Sequence, residues 1–310
     1  MRSMKRGLIL CVIMWIASVA TATIPINTET VRKSVVFIIL PTNQAGVSEV
    51  GTGFLIFVPL KSNPDVGRIF LVTARHVIDP QWACSPVSAP QVAFLRVNKK
   101  NFNPDKDENG TDSGPLPLLE NGKKTWFSHP DDRVDLAVFP IAPALVSDFD
   151  QIAINYRDFG TSEEIKNIVT VGADIISAGL VPELIGEKRN YPAFQFGRIS
   201  FIPDTPLRFP CATQPFRTAF LWYAAATFSP GNSGSPVFYV PEGNNVMSFG
   251  GQRPMVIGVV STTILTKNVS GLVPIRYLDE ILSESFPDLD LSRTKKPEPQ
   301  PTPATSTPKP

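Results

Sequence analysis

An all-β fold, sandwich or barrel, with a single C-terminal helix is what this 310-residue sequence predicts. Three observations carry that reading. Short β-branched and aromatic runs recur along most of the chain, clusters of Gly, Pro, Asn and Asp separate them, and helical spacing of apolar residues surfaces only near the end.

In chain order the runs are 31–40, 53–58, 68–74, 91–97, 135–141, 168–172, 194–202, 219–227, 236–240 and 256–264. Their spacing argues for a sandwich or barrel rather than a βαβ sheet. The stretch 98–124 is polar and carries Asp-Glu-Asn-Gly and Ser-Gly-Pro turn signals, so it reads as an exposed loop or an extended hairpin. Segment 274–286 differs: Leu278, Ile281, Leu282 and Phe286 fall at helical spacing and predict an amphipathic helix.

The two ends are of another kind. MRSMKRG is a basic flank, LILCVIMWIASVATATI an uncharged apolar run, and Ala20-Thr21-Ala22 a small-residue site. Residues 1–22 thus predict a secretory signal peptide. An uncleaved membrane anchor is the other reading, since 7–24 hold no charge and just suffice to span. Either way the rest of the chain crosses the membrane, which predicts a secreted or periplasmic protein. Residues 294–310 have Pro at nearly every second position and no apolar periodicity, and predict a disordered tail.

Composition excludes several classes. Twenty-nine Lys and Arg against 28 Asp and Glu leave a net charge of +1, so no basic footprint argues for nucleic acid. Of three cysteines, Cys84 and Cys211 lie beyond the leader; an oxidising compartment permits one disulfide between them, and two buried thiols are the alternative. No Cys-x-x-Cys pair is present, so no metal site is expected. His76 and His129 are the two histidines, and chemistry that needs imidazole must use one of them.

Three segments then stand out. In FLVTARHVI, His76 leaves an apolar strand; in DDRVDLAVFPI, Asp135 opens another; in FSPGNSGSPVFYV, Ser233 lies in a Gly-rich turn before a third. A serine hydroxyl is a poor nucleophile until an imidazole takes its proton, and that imidazole needs a carboxylate to fix its tautomer. Gly231 tolerates the positive φ that lets the N–H groups of Gly231 and Ser233 face one oxygen, which predicts an oxyanion hole. Gly234 is expected to let a substrate backbone approach. Asp131 and Asp132 read as solvated rivals to Asp135, and His129 as a loop residue.

In this order, His, Asp, Ser, with separations of 59 and 98 residues, the chain resembles the trypsin-like serine proteases of chymotrypsin fold, over roughly 31–285. The words GTGFLI, FLVTARHV, DLAVFPI, SPGNSGSPVF and VIGVVS look like those of two bacterial branches, the high-temperature-requirement proteases and the glutamyl endopeptidases. The resemblance implies two six-stranded antiparallel β-barrels within 31–286, a site in the cleft between them, a peptide substrate and no cofactor. It implies that Ser261 supports the Asp135 carboxylate, and that Thr227, Ser261, Thr262 and Thr263 line the substrate pocket. Thr227 offers no carboxylate for a basic side chain and Thr263 narrows the wall, so a small or medium apolar residue is expected before the scissile bond.

There are departures from the family. Asn232 stands where members activated by clipping carry Asp, so no N-terminal ion pair is expected to order the loop 229–232. Val260 stands where glutamyl endopeptidases carry His, and no PDZ pattern follows the barrels. A catalytically silent barrel pair that only binds is the rival reading.

Overall fold

The computed structural model describes residues 27–42, 48–86, 88–184, 186–209, 216–241 and 253–293. The expected leader, the Pro-rich tail and Cys211 lie outside them. Asn27 opens the described chain by capping α1 (Thr28–Ser34), its side chain accepting from the Thr30 N–H at 3.1 Å. The strand expected from residue 31 therefore starts at 35. Asn at the cap, Glu29 in the first turn and Arg32 with Lys33 in the last outweigh the local β-branching.

The first half contains β1 (Val35–Pro41), β2 (Ser48–Pro59), β3 (Gly67–Thr73), the one-turn helix α2 (Arg75–Ile78), a 3-10 turn (Pro80–Ala83), β4 (Val92–Asn98) and β5 (Thr111–Pro117). It continues with a small hairpin, β6 (Leu119–Glu120) and β7 (Lys123–Lys124), then β8 (Phe127–Ser128), β9 (Ala137–Ile141), α3 (Ala144–Ser147) and β10 (Ile154–Asn155). The extended hairpin is thus the alternative realised in 98–124, with β5 pairing antiparallel to β4. The sheet runs β5-β4-β1-β2-β3-β9-β8, and β10 joins β2 in parallel. Eight strands, one of them parallel, stand where six antiparallel ones were expected. The twelve-residue β2 is long enough to take β1, β3 and β10 along its length.

The second half starts with α4 (Ser162–Ile168) and holds β11 (Asp174–Gly179), β12 (Ala193–Phe201), a hairpin of β13 (Leu207–Phe209) and β14 (Arg217–Ala219), β15 (Trp222–Ala225), β16 (Pro236–Tyr239), β17 (Met255–Ile264), β18 (Val269–Pro274) and α5 (Arg276–Ser285). Strands β11-β12-β15-β18-β17-β16 close into an antiparallel six-stranded barrel, sealed where β16 pairs with β11. The all-β class, this barrel and the C-terminal helix agree with expectation. The strand expected at 168–172 does not: Thr161 and Glu164 form a reciprocal capping box that starts α4, and the strand follows at Asp174.

Alternation along β2 explains how the halves adhere. Phe54, Ile56 and Val58 face a core shared with the second barrel, while Leu55 faces a separate cluster with Ile38, Leu71 and Phe139. The shared core also includes Tyr277, Leu278, Ile281 and Leu282 of α5. Phe286, just beyond α5, packs edge-on against Phe70 and Phe127 of the first sheet at 4.9 and 4.8 Å. After it the chain straps back over the first sheet: the Lys61 N–H donates to the Asp288 carbonyl at 2.9 Å and the Asp290 N–H to that of Pro59 at 2.7 Å. The strap ends at buried Arg293, whose guanidinium reaches Tyr156 Oη at 2.9 Å, the Asp279 carboxylate and the Gly160 carbonyl.

Candidate active site

The apolar strand β3 delivers α2, and His76 stands on that single turn. Its ring Nδ1 lies 2.7 Å from Asp135 Oδ2, and its backbone N–H donates to Asp135 Oδ1 at 2.9 Å. A carboxylate can only accept, so Nδ1 carries the proton and Nε2 is left as the basic nitrogen. Asp135 is fully buried just before β9, and Ser261 Oγ donates to its Oδ2 at 2.5 Å.

Burial pushes the Asp135 carboxyl up, yet the charge and hydrogen bond of His76 and the Ser261 hydroxyl outweigh it and hold the group below its usual range. Burial likewise pushes His76 down, and Asp135, by charge and by hydrogen bond, more than compensates. The imidazole sits above its ordinary 6.5.

Ser233 belongs to a tight turn between β15 and β16. Asn232 N–H donates to the Ser229 carbonyl at 3.0 Å, Ser235 N–H to that of Asn232 at 2.9 Å, and Gly234 N–H to that of Val260 at 2.7 Å. Gly231 has φ +88°, the left-handed region that glycine alone enters without strain. Among the described residues neither the Gly231 nor the Ser233 N–H has an acceptor, so this pair of donors is open to an outside oxygen. Ser233 Oγ donates to the Ser261 carbonyl at 2.9 Å, and among the described residues no hydrogen bond joins it to His76. The structure therefore brings His76, Asp135 and Ser261 together, and connects Ser233 to them through Ser261.

One residue that sequence reasoning passed over holds this turn. Thr52, on β2, donates its N–H to the Ser233 carbonyl at 2.9 Å and its hydroxyl to the Gly231 carbonyl at 2.6 Å. The same hydroxyl accepts the Leu180 N–H at 3.1 Å. Thr73 Oγ1 donates to the Thr52 carbonyl at 2.7 Å. The signal was present in Gly51-Thr52-Gly53, a polar residue between two glycines inside an apolar strand. The role expected of Gly234 is corrected here. Its φ is +92°, and a Cβ would strike the Thr52 carbonyl oxygen and Thr73 Oγ1, so the glycine admits β2 and not a substrate backbone. Asn232 is buried, with Nδ2 donating to the Leu180 carbonyl at 3.2 Å.

Trp82 was also missed. It stacks on His76, with ring centroids 6.4 Å apart, and on Phe209 at 5.9 Å, and donates Nε1–H to the Asp132 carbonyl at 2.7 Å. Trp82, Phe209, His76 and Thr262 border a hollow of about 60 Å³ beside the imidazole. Cys84 follows the Pro80–Ala83 turn and is disulfide-bonded.

The other residues expected to line the substrate pocket are polar and uncharged. Exposed Thr227 donates Oγ1–H to Asn268 Oδ1 at 3.1 Å, and Thr263 Oγ1 lies 3.2 Å from Ser270 Oγ. The Ser261 hydroxyl is committed to Asp135, and its carbonyl accepts the Ser233 hydroxyl. The rival carboxylates are engaged elsewhere, Asp131 with Arg133 and Asp132 with Arg75 and Arg217. His129 pairs with Glu280 at 2.7 Å.

The solved structures to which the chain is similar include those of the Rv3671c protease of M. tuberculosis. The active form matches at 18% identity and a TM-score of 0.44, over 83% of this chain and 82% of that one. An inactive form matches at 15% identity and 0.41, over 84% and 97%. No family model matches the chain, and no curated protein does.

Proposed function

We propose that the chain is a serine endopeptidase, secreted or periplasmic as its leader pattern suggests. One observation carries the reading: a buried Asp135, paired with half-buried His76 and braced by Ser261, stands beside a serine turn with two unclaimed N–H donors. In this reading His76 Nε2 takes the Ser233 proton, and Ser233 Oγ attacks the peptide carbonyl. The N–H groups of Gly231 and Ser233 hold the oxyanion, and His76 then protonates the leaving amine. Water repeats the sequence on the acyl-enzyme. The Ser233 hydroxyl must first leave the Ser261 carbonyl, a rotation about χ1 between staggered wells. The uncharged Thr227, Thr263 and Asn268 offer no counter-charge to Lys, Arg or Glu, which supports small or medium apolar residues before the scissile bond.

The rival, a catalytically silent binding module, is favoured by that same Ser233–Ser261 bond. Fluorophosphonate labelling separates the two: mass spectrometry should find the adduct on Ser233, and Ser233→Ala should abolish both it and peptide cleavage. An intact, folded chain that takes no label supports the silent module.

A further inference from the structure

A cavity of about 550 Å³ shares no lining residue with the His76–Asp135–Ser233 cleft. It lies on the outside of the second barrel, between α4, the turn after β12, the start of β15 and the junction of β18 with α5. Its volume falls within the range of about 300–1,000 Å³ typical of small-molecule sites.

Two features define what fits. Ile165, Val169, Ile202, Trp222 and Pro274 build an apolar wall. Lys166, from α4, and Arg276, which opens α5, bring two cations to that wall, against the single carboxylate of Asp204. Among the described residues no carboxylate pairs with Lys166 or Arg276. The Arg276 guanidinium spends one N–H on Tyr277 Oη, at 2.9 Å, and keeps the rest. The positive end of the α5 dipole adds charge of the same sign. A ligand with an apolar body and one anionic head satisfies both features. An extended peptide does so poorly, because the apolar wall would leave its amides without partners.

We propose that this cavity binds a medium-chain alkyl carboxylate, with its chain against Trp222 and its head between Lys166 and Arg276. The site is independent of the protease reading, since binding is read without turnover. Isothermal titration of the full chain carrying Ser233→Ala tests it with three probes: decanoate, decanol and an acetylated tri-leucine with a free carboxylate. Decanoate should bind one-to-one. K166Q/R276Q, two exposed substitutions that leave the fold intact, should weaken decanoate tenfold or more while changing decanol less than twofold. The tripeptide should bind more weakly than decanoate. Absence of saturable decanoate binding, or binding unchanged in K166Q/R276Q, overturns the proposal. Tighter binding of the tripeptide overturns it in favour of a peptide C-terminus.

Discussion

At the level of single residues, the site depends on a threonine that does no chemistry. Thr52 joins β2 to both ends of the serine turn, and its hydroxyl is at once donor to Gly231 and acceptor from Leu180. Thr52→Val keeps the volume, removes both bonds and leaves a buried N–H unpaired, at about 1–3 kcal/mol. Peptidase kcat should fall about 10- to 100-fold with KM little changed, as expected if the loss is of oxyanion geometry and not of binding. Steady-state kinetics beside a denaturant melt would separate that from unfolding. His76 makes a second prediction. Its pKa lies above 6.5 because the Asp135 charge outweighs burial, and only the neutral ring can accept a proton. The acid limb of kcat/KM should therefore have its midpoint above 6.5. In Asp135→Asn burial is opposed only by the weaker pull of the Glu49 charge, so the His76 ring should titrate below its wild-type value. With two histidines in the chain, proton NMR of the Ser233→Ala protein reads this directly.

At the level of elements, boundaries were less legible than existence. Apolar strands β3, β9 and β17 announced themselves, and with them the sites of His76, Asp135 and Ser261. The strand at Asp174 was misplaced because Ile168 and Val169, in a β-branched run, belong to the end of α4 and its cap. The Thr161–Glu164 box would have marked that helix. Thr161→Ala should cost about 1 kcal/mol in chemical denaturation, with activity kept. Short strands such as β18 were invisible since Gly271 and Pro274 read as breakers, whereas pairing with β15 and β17 on both sides decides the matter. Thr52 escaped notice for a related reason: its partners, Gly231 and Leu180, are 179 and 128 residues away. No local pattern encodes such a contact.

At the level of the whole molecule, the two halves share one core, so a single cooperative unfolding transition is expected from calorimetry. The Tyr156–Asp279–Arg293 cluster should tune it. Burial pushes Asp279 up to about 6, against the pull of Arg293. A carboxyl raised on folding contributes stability at low pH and loses it as pH climbs from about 4 through 6. Asp279→Asn should flatten that decline by about 2–3 kcal/mol across pH 4 to 7, checked by urea melts at each pH. Arg293→Ala, which strands a half-buried carboxyl and a buried phenol, should destabilise by about 2–3 kcal/mol at neutral pH in the same assay.

The seat of Phe286 on Phe70 and Phe127 also bears on timing. Ribosomes build the chain from its first residue, and the sheet that carries His76 is complete long before α5 exists. Until β18 emerges the serine turn lacks its finished barrel, and until Phe286 follows, that sheet has an unfilled face. In the protease reading, a chain that ends before β18 should therefore not hydrolyse its neighbours, so the order of synthesis itself acts as a safety catch.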